Sequence, residues 1–178
     1  MSQLSLFTPS EAPREPSDRP AAKKAVITTD GACIGNPGPG GWAFILRSGG
    51  AAKEMYGSEP HTTNNRMELK AIIEALRTLP EPHEVRVYTD SEYLKNGITE
   101  WLPNWKAKGW TRKVKGLPGR QPVKNQDLWM ELDQLVQPHR IRWEWVRGHA
   151  DHSDNNRCDA LATRAAREQI KKGRGTRG

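Results

Sequence analysis

The chain has 178 residues, 28 Lys plus Arg against 21 Asp plus Glu, and a formal net charge of +7. That length holds one domain with a real core and excludes two ordinary ones. No apolar run approaches the roughly 20 residues of a membrane helix, and the N-terminus has no secretory pattern, so a soluble, cytoplasmic, monomeric protein is expected.

Residues 1–22 carry Pro9, Pro13, Pro16 and Pro20 among polar residues and read as a disordered tail. One cluster inside it, Gln3-Leu-Ser-Leu-Phe7, is too apolar for that composition. The folded domain is expected over 23–172, followed by a basic, flexible C-terminal tail over 173–178.

Three strands open the domain, at about 24–33, 41–48 and 51–58, as an antiparallel meander. The first is rich in β-branched residues and is expected to end at Asp30. A buried strand has no reason to finish on a lone carboxylate, which costs several kcal/mol unless it faces a cation or a polar cleft. Gly35 to Gly41 resembles a phosphate loop in composition, but a strand follows it instead of a helix, so it reads as a broad turn.

Residues 65–79 are expected to form an amphipathic helix with Leu69, Ile72, Ile73, Leu76 and Leu79 on one stripe and Glu68 at its edge. Thr62, Thr63 and Asn64 supply capping side chains, and Pro80 ends the helix. A fourth strand over 84–90 again finishes Thr-Asp, placing Asp90 at the edge where α/β sheets hold their sites. Ser91 caps the next helix.

Residues 91–108 read as two short helices with Trp101 and Trp105 on one face. Between Glu100 and Asp127 there is no acid, and Lys106, Lys108, Arg112, Lys113, Lys115, Arg120 and Lys124 fall there, equal in number to the whole net charge. A single-sign segment of this kind is an electrostatic footprint for a polyanion, with a solvated loop as the bland alternative. A helix over 125–136 and a fifth strand over 140–146 come next. A polar loop with His149 leads to a last helix carrying Asp159, Ala162 and Ala166 in one row.

Asp30, Glu68, Asp90 and Asp159 are thus expected to converge. Clustered carboxylates need a cation, and hard oxygen donors select Mg²⁺ or Mn²⁺. Two such ions can activate a water and stabilise a leaving oxygen, while His149 is suited to proton transfer. His149, His152 and Cys158 offer zinc as a weaker alternative. Cys33 and Cys158 are expected to be free thiols.

Thr29-Asp-Gly-Ala-Cys33, Gly35-Asn-Pro-Gly-Pro-Gly-Gly41, Thr62-Thr-Asn-Asn-Arg-Met-Glu-Leu69, Thr89-Asp-Ser91, Trp145-Val-Arg-Gly-His149 and Arg157-Cys-Asp159 together resemble bacterial ribonuclease HI, over about residues 23–170. The resemblance implies an α/β ribonuclease H-like fold, a five-stranded mixed sheet of order 3-2-1-4-5 flanked by helices. It implies cleavage of the RNA strand of RNA–DNA hybrids to 5′-phosphate and 3′-hydroxyl ends. Asp30, Glu68, Asp90 and Asp159 would be the metal-binding catalytic acids, assisted by His149. Cys33, Asn36, Asn64 and Asn65 would line the hybrid's minor groove, and Thr63 would grip a DNA phosphate. Trp101, Trp105 and the basic residues Lys106, Lys108, Arg112 and Lys113 would form a DNA-binding handle, the tryptophans mainly by packing.

Two departures stand out. Glu92 replaces a frequent glutamine, and the handle loop over 113–120 is longer. Rivals are a DNA nuclease or transposase-like enzyme of the same superfamily and a non-cleaving hybrid-binding module. In the tail, Gln3, Leu4, Leu6 and Phe7 resemble the peptide that docks replication and repair proteins on the bacterial DNA sliding clamp.

Overall fold

The computed structural model describes residues 22–147 and 152–175. Strands β1 (Lys23–Cys33), β2 (Gly38–Ser48) and β3 (Ala51–Thr62) form the expected meander, with β1–β2 and β2–β3 antiparallel. Strand β4 (His83–Thr89) joins β1 in parallel, and a last strand, Arg140–Trp145, joins β4 in parallel. The handle contributes a small hairpin, β5 (Thr111–Lys113) and β6 (Arg120–Pro122), so the last strand is β7 and the sheet order is β3-β2-β1-β4-β7. The mixed five-stranded sheet expected from the chain's motifs is therefore present, its fifth member renumbered by the hairpin.

Alternation along β2 builds a core on each face of the sheet. Trp42 and Phe44 pack with Ile27, Val85, Val87 and helix α1 (Asn64–Arg77) on one side. Ala43 and Ile45 pack with Cys158, Leu161 and Ala162 of helix α5 (Ser153–Gly175) on the other. This is the period-two pattern of a strand covered on both faces. Helix α5 runs past residue 172, where the domain was expected to end, through Gly175.

Helix α1 starts as its sequence demands. The Thr63 hydroxyl accepts the Arg66 N–H at 3.3 Å, and Thr78 closes the far end by donating to Ala75. The residue before a proline avoids the helical region, so Leu79 ahead of Pro80 lies outside.

Close backbone approaches set the two main helices on the sheet. A Cβ on Gly31 would lie 2.5 Å from the Glu68 nitrogen, and one on Gly41 would lie 2.2 Å from the Ala162 carbonyl oxygen. The small residues of α5 permit its approach, as their spacing suggests, but only because Gly41 faces them.

The segment expected as two short helices is one bent run. Helix α2 (Glu92–Asn96) continues through a π-helical turn, Gly97–Trp101, into α3 (Leu102–Ala107). At the bend Gly97 lies against the buried Trp129 indole of helix α4 (Gln126–Val136), where a Cβ would come within 2.0 Å. The basic loop after α3 is not irregular throughout. Arg112 pairs with Gln121 across the β5–β6 hairpin, and the Arg120 guanidinium donates to the Thr111 hydroxyl and carbonyl, each at 2.7 Å.

Candidate active site

Strand β1 does not stop at Asp30. It runs on to Cys33 but pairs with β4 only as far as Thr28 against Tyr88, while its pairing with β2 continues to Cys33 against Gly40. Asp30 therefore sits where β1 outruns β4, and Asp90 directly follows the last residue of β4. The opening between two parallel strands receives both carboxylates, which is where open α/β sheets bind ligands. Gly31 brings the second turn of α1 against the same point, and with it Glu68.

Oxygens of Asp30, Glu68 and Asp90 lie within 4.8 Å of one another. Asp30 and Glu68 are each 5% exposed, and Asp90 is half-buried. Burial, followed by the charge of Asp90, pushes the Asp30 carboxyl up to about 7, although the Gly31 N–H donates to it at 2.8 Å. Glu68 is raised well above the usual carboxylate range, by burial first and then by the charges of Asp30 and Asp90. A side-chain hydrogen bond between Glu68 and Asp30 raises Glu68 further and opposes the rise of Asp30. Asp90 is raised by burial and by the charge of Asp159, and a side-chain hydrogen bond from Asn155 opposes that rise.

The donor set fits a hard divalent cation. Its ligating atoms are all carboxylate oxygens, and Glu68 Oε2 is buried with no hydrogen-bond partner. A polar atom in that position carries a desolvation cost that a cation would remove.

Asp159 is not part of the tight trio. It is exposed at the rim on α5, yet near enough for its charge to raise both Asp30 and Asp90. His149 lies outside the described residues, as do Gln3, Leu4, Leu6 and Phe7. The ends flanking the His149 loop are well held. The Val146 N–H donates to the Thr89 carbonyl at 2.8 Å, and the His152 Nδ1 accepts the Asn155 N–H at 3.1 Å while its ring lies 4.9 Å from Tyr88. Beside Asp90 a pocket of about 600 Å³ opens, lined by Glu92, Lys95, Trp145 and Arg147 among others.

The zinc alternative fails. Cys158 is fully buried, donates to the Thr28 carbonyl at 3.3 Å, and has its thiol pushed up to about 12 mainly by burial. The His152 Nδ1 is taken as a helix cap, and among the described residues neither His152 nor Cys158 belongs to a cluster of three or more metal-ligating groups.

Asn155 was not singled out by its sequence pattern. It is 3% exposed, its side chain reaches Asp90, and its Oδ1 has no partner. The available signal was its position four residues before Asp159, on the same helical row. Two bidentate ion pairs hold this part of α5 in place. Arg47 reaches Asp154 at 2.7 and 2.8 Å, and Arg157 reaches Glu54 at 2.9 and 3.2 Å.

The expected groove residues gather at the N-terminus of α1. Cys33 Sγ donates to the Thr62 carbonyl at 3.4 Å, and Asn36 Oδ1 accepts the Asn64 N–H at 3.1 Å. Thr63 is the cap and Asn65 the second helical residue. In the handle, the Trp101 and Trp105 rings lie 5.6 Å apart, tilted by 39°, and pack on Tyr93 and the buried Trp129. Lys106 is tied to Asp133 at 3.2 Å, whereas Lys108, Arg112, Lys113, Lys115 and Lys124 are exposed.

A model of the RNase H family matches residues 22–167. The chain is 59% identical over 142 residues to a ribonuclease H of Cupriavidus necator, covering 80% of this chain and 94% of that one. It superposes with a TM-score of 0.72 on LC9-RNase H1, a type 1 RNase H with the type 2 active-site motif, at 36% identity over 86% of this chain and 76% of the other. LC11-RNase H1 in complex with an RNA/DNA hybrid shares the fold with a TM-score of 0.60 at 23% identity, over 82% of this chain and 99% of the other. Sheet order, carboxylate cluster and relatives agree, and the chain belongs to the RNase H family.

Proposed function

We propose that this protein is an endonuclease that hydrolyses the RNA strand of RNA–DNA hybrids, leaving 5′-phosphate and 3′-hydroxyl ends. The observation that carries this reading is the convergence of Asp30, Glu68 and Asp90 at the mouth between β1 and β4. Asp30, Glu68, Asp90 and, from the rim, Asp159 would hold Mg²⁺, with Mn²⁺ as a substitute. Bound there, two divalent ions supply a water activated for attack and charge stabilisation at the leaving oxygen.

The chain's own residues do the rest. Asp30 and Glu68, both raised by burial and by neighbouring charge, would hold the cation as carboxylates, so that cation and protons would compete for them. Asn155 keeps the Asp90 carboxylate ionised and aimed. His149 moves a proton at the departing oxygen.

Selectivity for a hybrid is assigned to the cluster at the start of α1. Cys33, Asn36, Asn64 and Asn65 offer short polar groups to a wide minor groove, where 2′-hydroxyls mark the RNA strand. Thr63 uses an oxygen lone pair for the cap and keeps its O–H free to donate to a DNA phosphate. The exposed cations of the handle follow the DNA backbone over the Trp101–Trp105 surface.

A labelled hybrid, duplex DNA and duplex RNA incubated with Mg²⁺ test this directly. Cleavage of the hybrid's RNA strand alone is expected. Cleavage of duplex DNA would favour the transposase-like reading, and binding without cleavage the passive module.

The unpaired thiols of Cys33 and Cys158 support a reducing, cytoplasmic setting. Among the described residues no helix is long and apolar enough to cross a membrane. The Gln3–Phe7 segment is proposed to dock on the DNA sliding clamp and place a monomeric nuclease at sites of DNA replication. Titrating clamp against the full chain, a truncation beginning at Ala21 and Leu6→Ala/Phe7→Ala tests it, and equal binding by all three rejects it.

A further inference from the structure

Arg66 lies on α1 between the Thr63 cap and the catalytic-site Glu68, and its guanidinium points away from both. Its NH1 donates to Asp127 Oδ1 at 3.0 Å and to Asn125 Oδ1 at 3.3 Å, and its NH2 donates to Asp127 Oδ2 at 2.8 Å. The other end of the Asn125 amide donates to the Tyr93 hydroxyl at 3.0 Å, and Trp129 Nε1 donates to the same oxygen at 2.9 Å. Tyr93 in turn packs on Trp101 at 5.9 Å. Polar contacts from Arg66 to Tyr93, and then the aromatic contact of Tyr93 with Trp101, therefore join the helix of Glu68 to the handle.

Two features show that these contacts orient parts of the molecule. Asn125 adopts a left-handed backbone, φ 59°, which a non-glycine residue takes up only where the surroundings over-determine it. In this conformation its side chain meets Arg66 and Tyr93 at once. Arg66 and Asp127 keep 32% and 64% of their side-chain surfaces exposed, and an exposed pair adds little to stability. Its bidentate fork nevertheless fixes distance and angle between α1 and α4, which a point charge could not do. With its fork filled by Asp127 and Asn125, Arg66 is also poorly placed to bind a phosphate itself.

We propose that Arg66 is a positioning residue. Through Asp127 and Asn125 it locks the handle in register with the carboxylate cluster, so that a hybrid gripped by the handle presents one particular phosphodiester to the acids. This rests on the hybrid-cleavage reading above.

The test uses the full-length protein with Arg66→Met, Asp127→Asn and the double variant. Substrates are a long end-labelled hybrid and one too short to reach the handle. Each single variant is expected to raise KM for the long hybrid roughly tenfold with kcat little changed, and the double variant to be no worse than either, as for two partners in one interaction. Cleavage positions along the long hybrid should spread, while the short hybrid should be cut as by the wild type. Circular dichroism and melting curves establish that the variants fold, and Asp127→Asn, the more exposed change, stands in should Arg66→Met fail to.

Unchanged KM and an unchanged cleavage pattern in either folded variant would overturn the proposal. So would equal losses on both hybrids, which mean damage at the acids, or additive effects, which mean that Arg66 and Asp127 act separately. Failure of the wild type to cut either hybrid would instead overturn the proposed function.

Discussion

Gly31 and Glu68 touch backbone to backbone across the junction of β1 and α1, with room for no atom at the Cβ position of the glycine. The spot a Cβ would take on Gly31 is 2.5 Å from the Glu68 nitrogen and 2.6 Å from the Met67 carbonyl carbon. Neither neighbour is the end of a flexible side chain. The separation of the Asp30 and Glu68 carboxylates is thus set by the main chain.

Gly31→Ala should for that reason push α1 off the sheet. Overpacking of this kind costs ~1–3 kcal/mol, and the carboxylate cluster would open with it. Thermal unfolding and cleavage measured on the same preparation should both fall. Gly173→Ala makes the contrast, since Gly173 is helical and a Cβ there meets nothing within 4 Å. It should stabilise by roughly 0.5–1 kcal/mol and leave cleavage alone. A Gly31→Ala protein with wild-type melting and activity would refute the packing account.

Asp30→Asn should lower cleavage by at least ~10²–10³-fold, the scale on which removal of one preorganised charge-stabilising group acts, with hybrid binding retained. Activity within tenfold of the wild type would remove Asp30 from its assigned role.

The same substitution should change how metal-free stability depends on pH. The folded-state pKa of Asp30, about 7, is above its ordinary 3.8, and Glu68 shifts in the same direction. The folded protein then binds more protons than the unfolded chain in that interval. Their contribution is complete at low pH and is lost as pH rises through about 7. Melting of metal-free wild type should fall from pH 5 to pH 8 more steeply than that of Asp30→Asn. Mg²⁺ should raise wild-type melting more at pH 8 than at pH 5. Parallel melting profiles for the two proteins would contradict the raised pKa of Asp30.

Replacing Lys108, Lys113 and Lys115 together by Gln should weaken hybrid binding and flatten its salt dependence by ~0.7–0.9 in log–log slope per lost phosphate contact. Arg120→Ala should act differently, because that guanidinium holds the β5–β6 hairpin at Thr111. It should loosen the hairpin, seen as faster amide exchange over 111–122, with a smaller change of slope. A triple variant with the wild-type slope would mean that the hairpin faces away from the nucleic acid.

What could be read from the chain was what depends on near neighbours. The period-two strands, the stripe of α1 and the Thr63 and Ser91 caps are local signals, and each is where it was expected, whereas the first Thr-Asp marks not the end of β1 but the point where β1 outruns β4. Features that depend on distant partners were hidden. That β1 outruns β4 follows from which strand lies beside it, and nothing near Asp30 announces it. The π-helical turn at Gly97 exists because Trp129, 32 residues later, fills the space beside it. Asn155 reads as one more polar loop residue until α5 carries it to Asp90. The β5–β6 hairpin was masked by its cations, which look like a solvated loop until Arg120 is seen to bridge it.

The carboxylates come from β1, α1 and the end of β4, and the neighbours that aim and charge Asp90 come from α5, so the site is assembled from positions 30 to 159 of one chain. Closing loops of that length is entropically costly and cannot precede the sheet itself. A chain whose α5 has not docked has the three clustered acids but lacks the Asn155 and Asp159 side chains that act on Asp90. The part of the site that α5 supplies is in place only once that helix docks against Gly41.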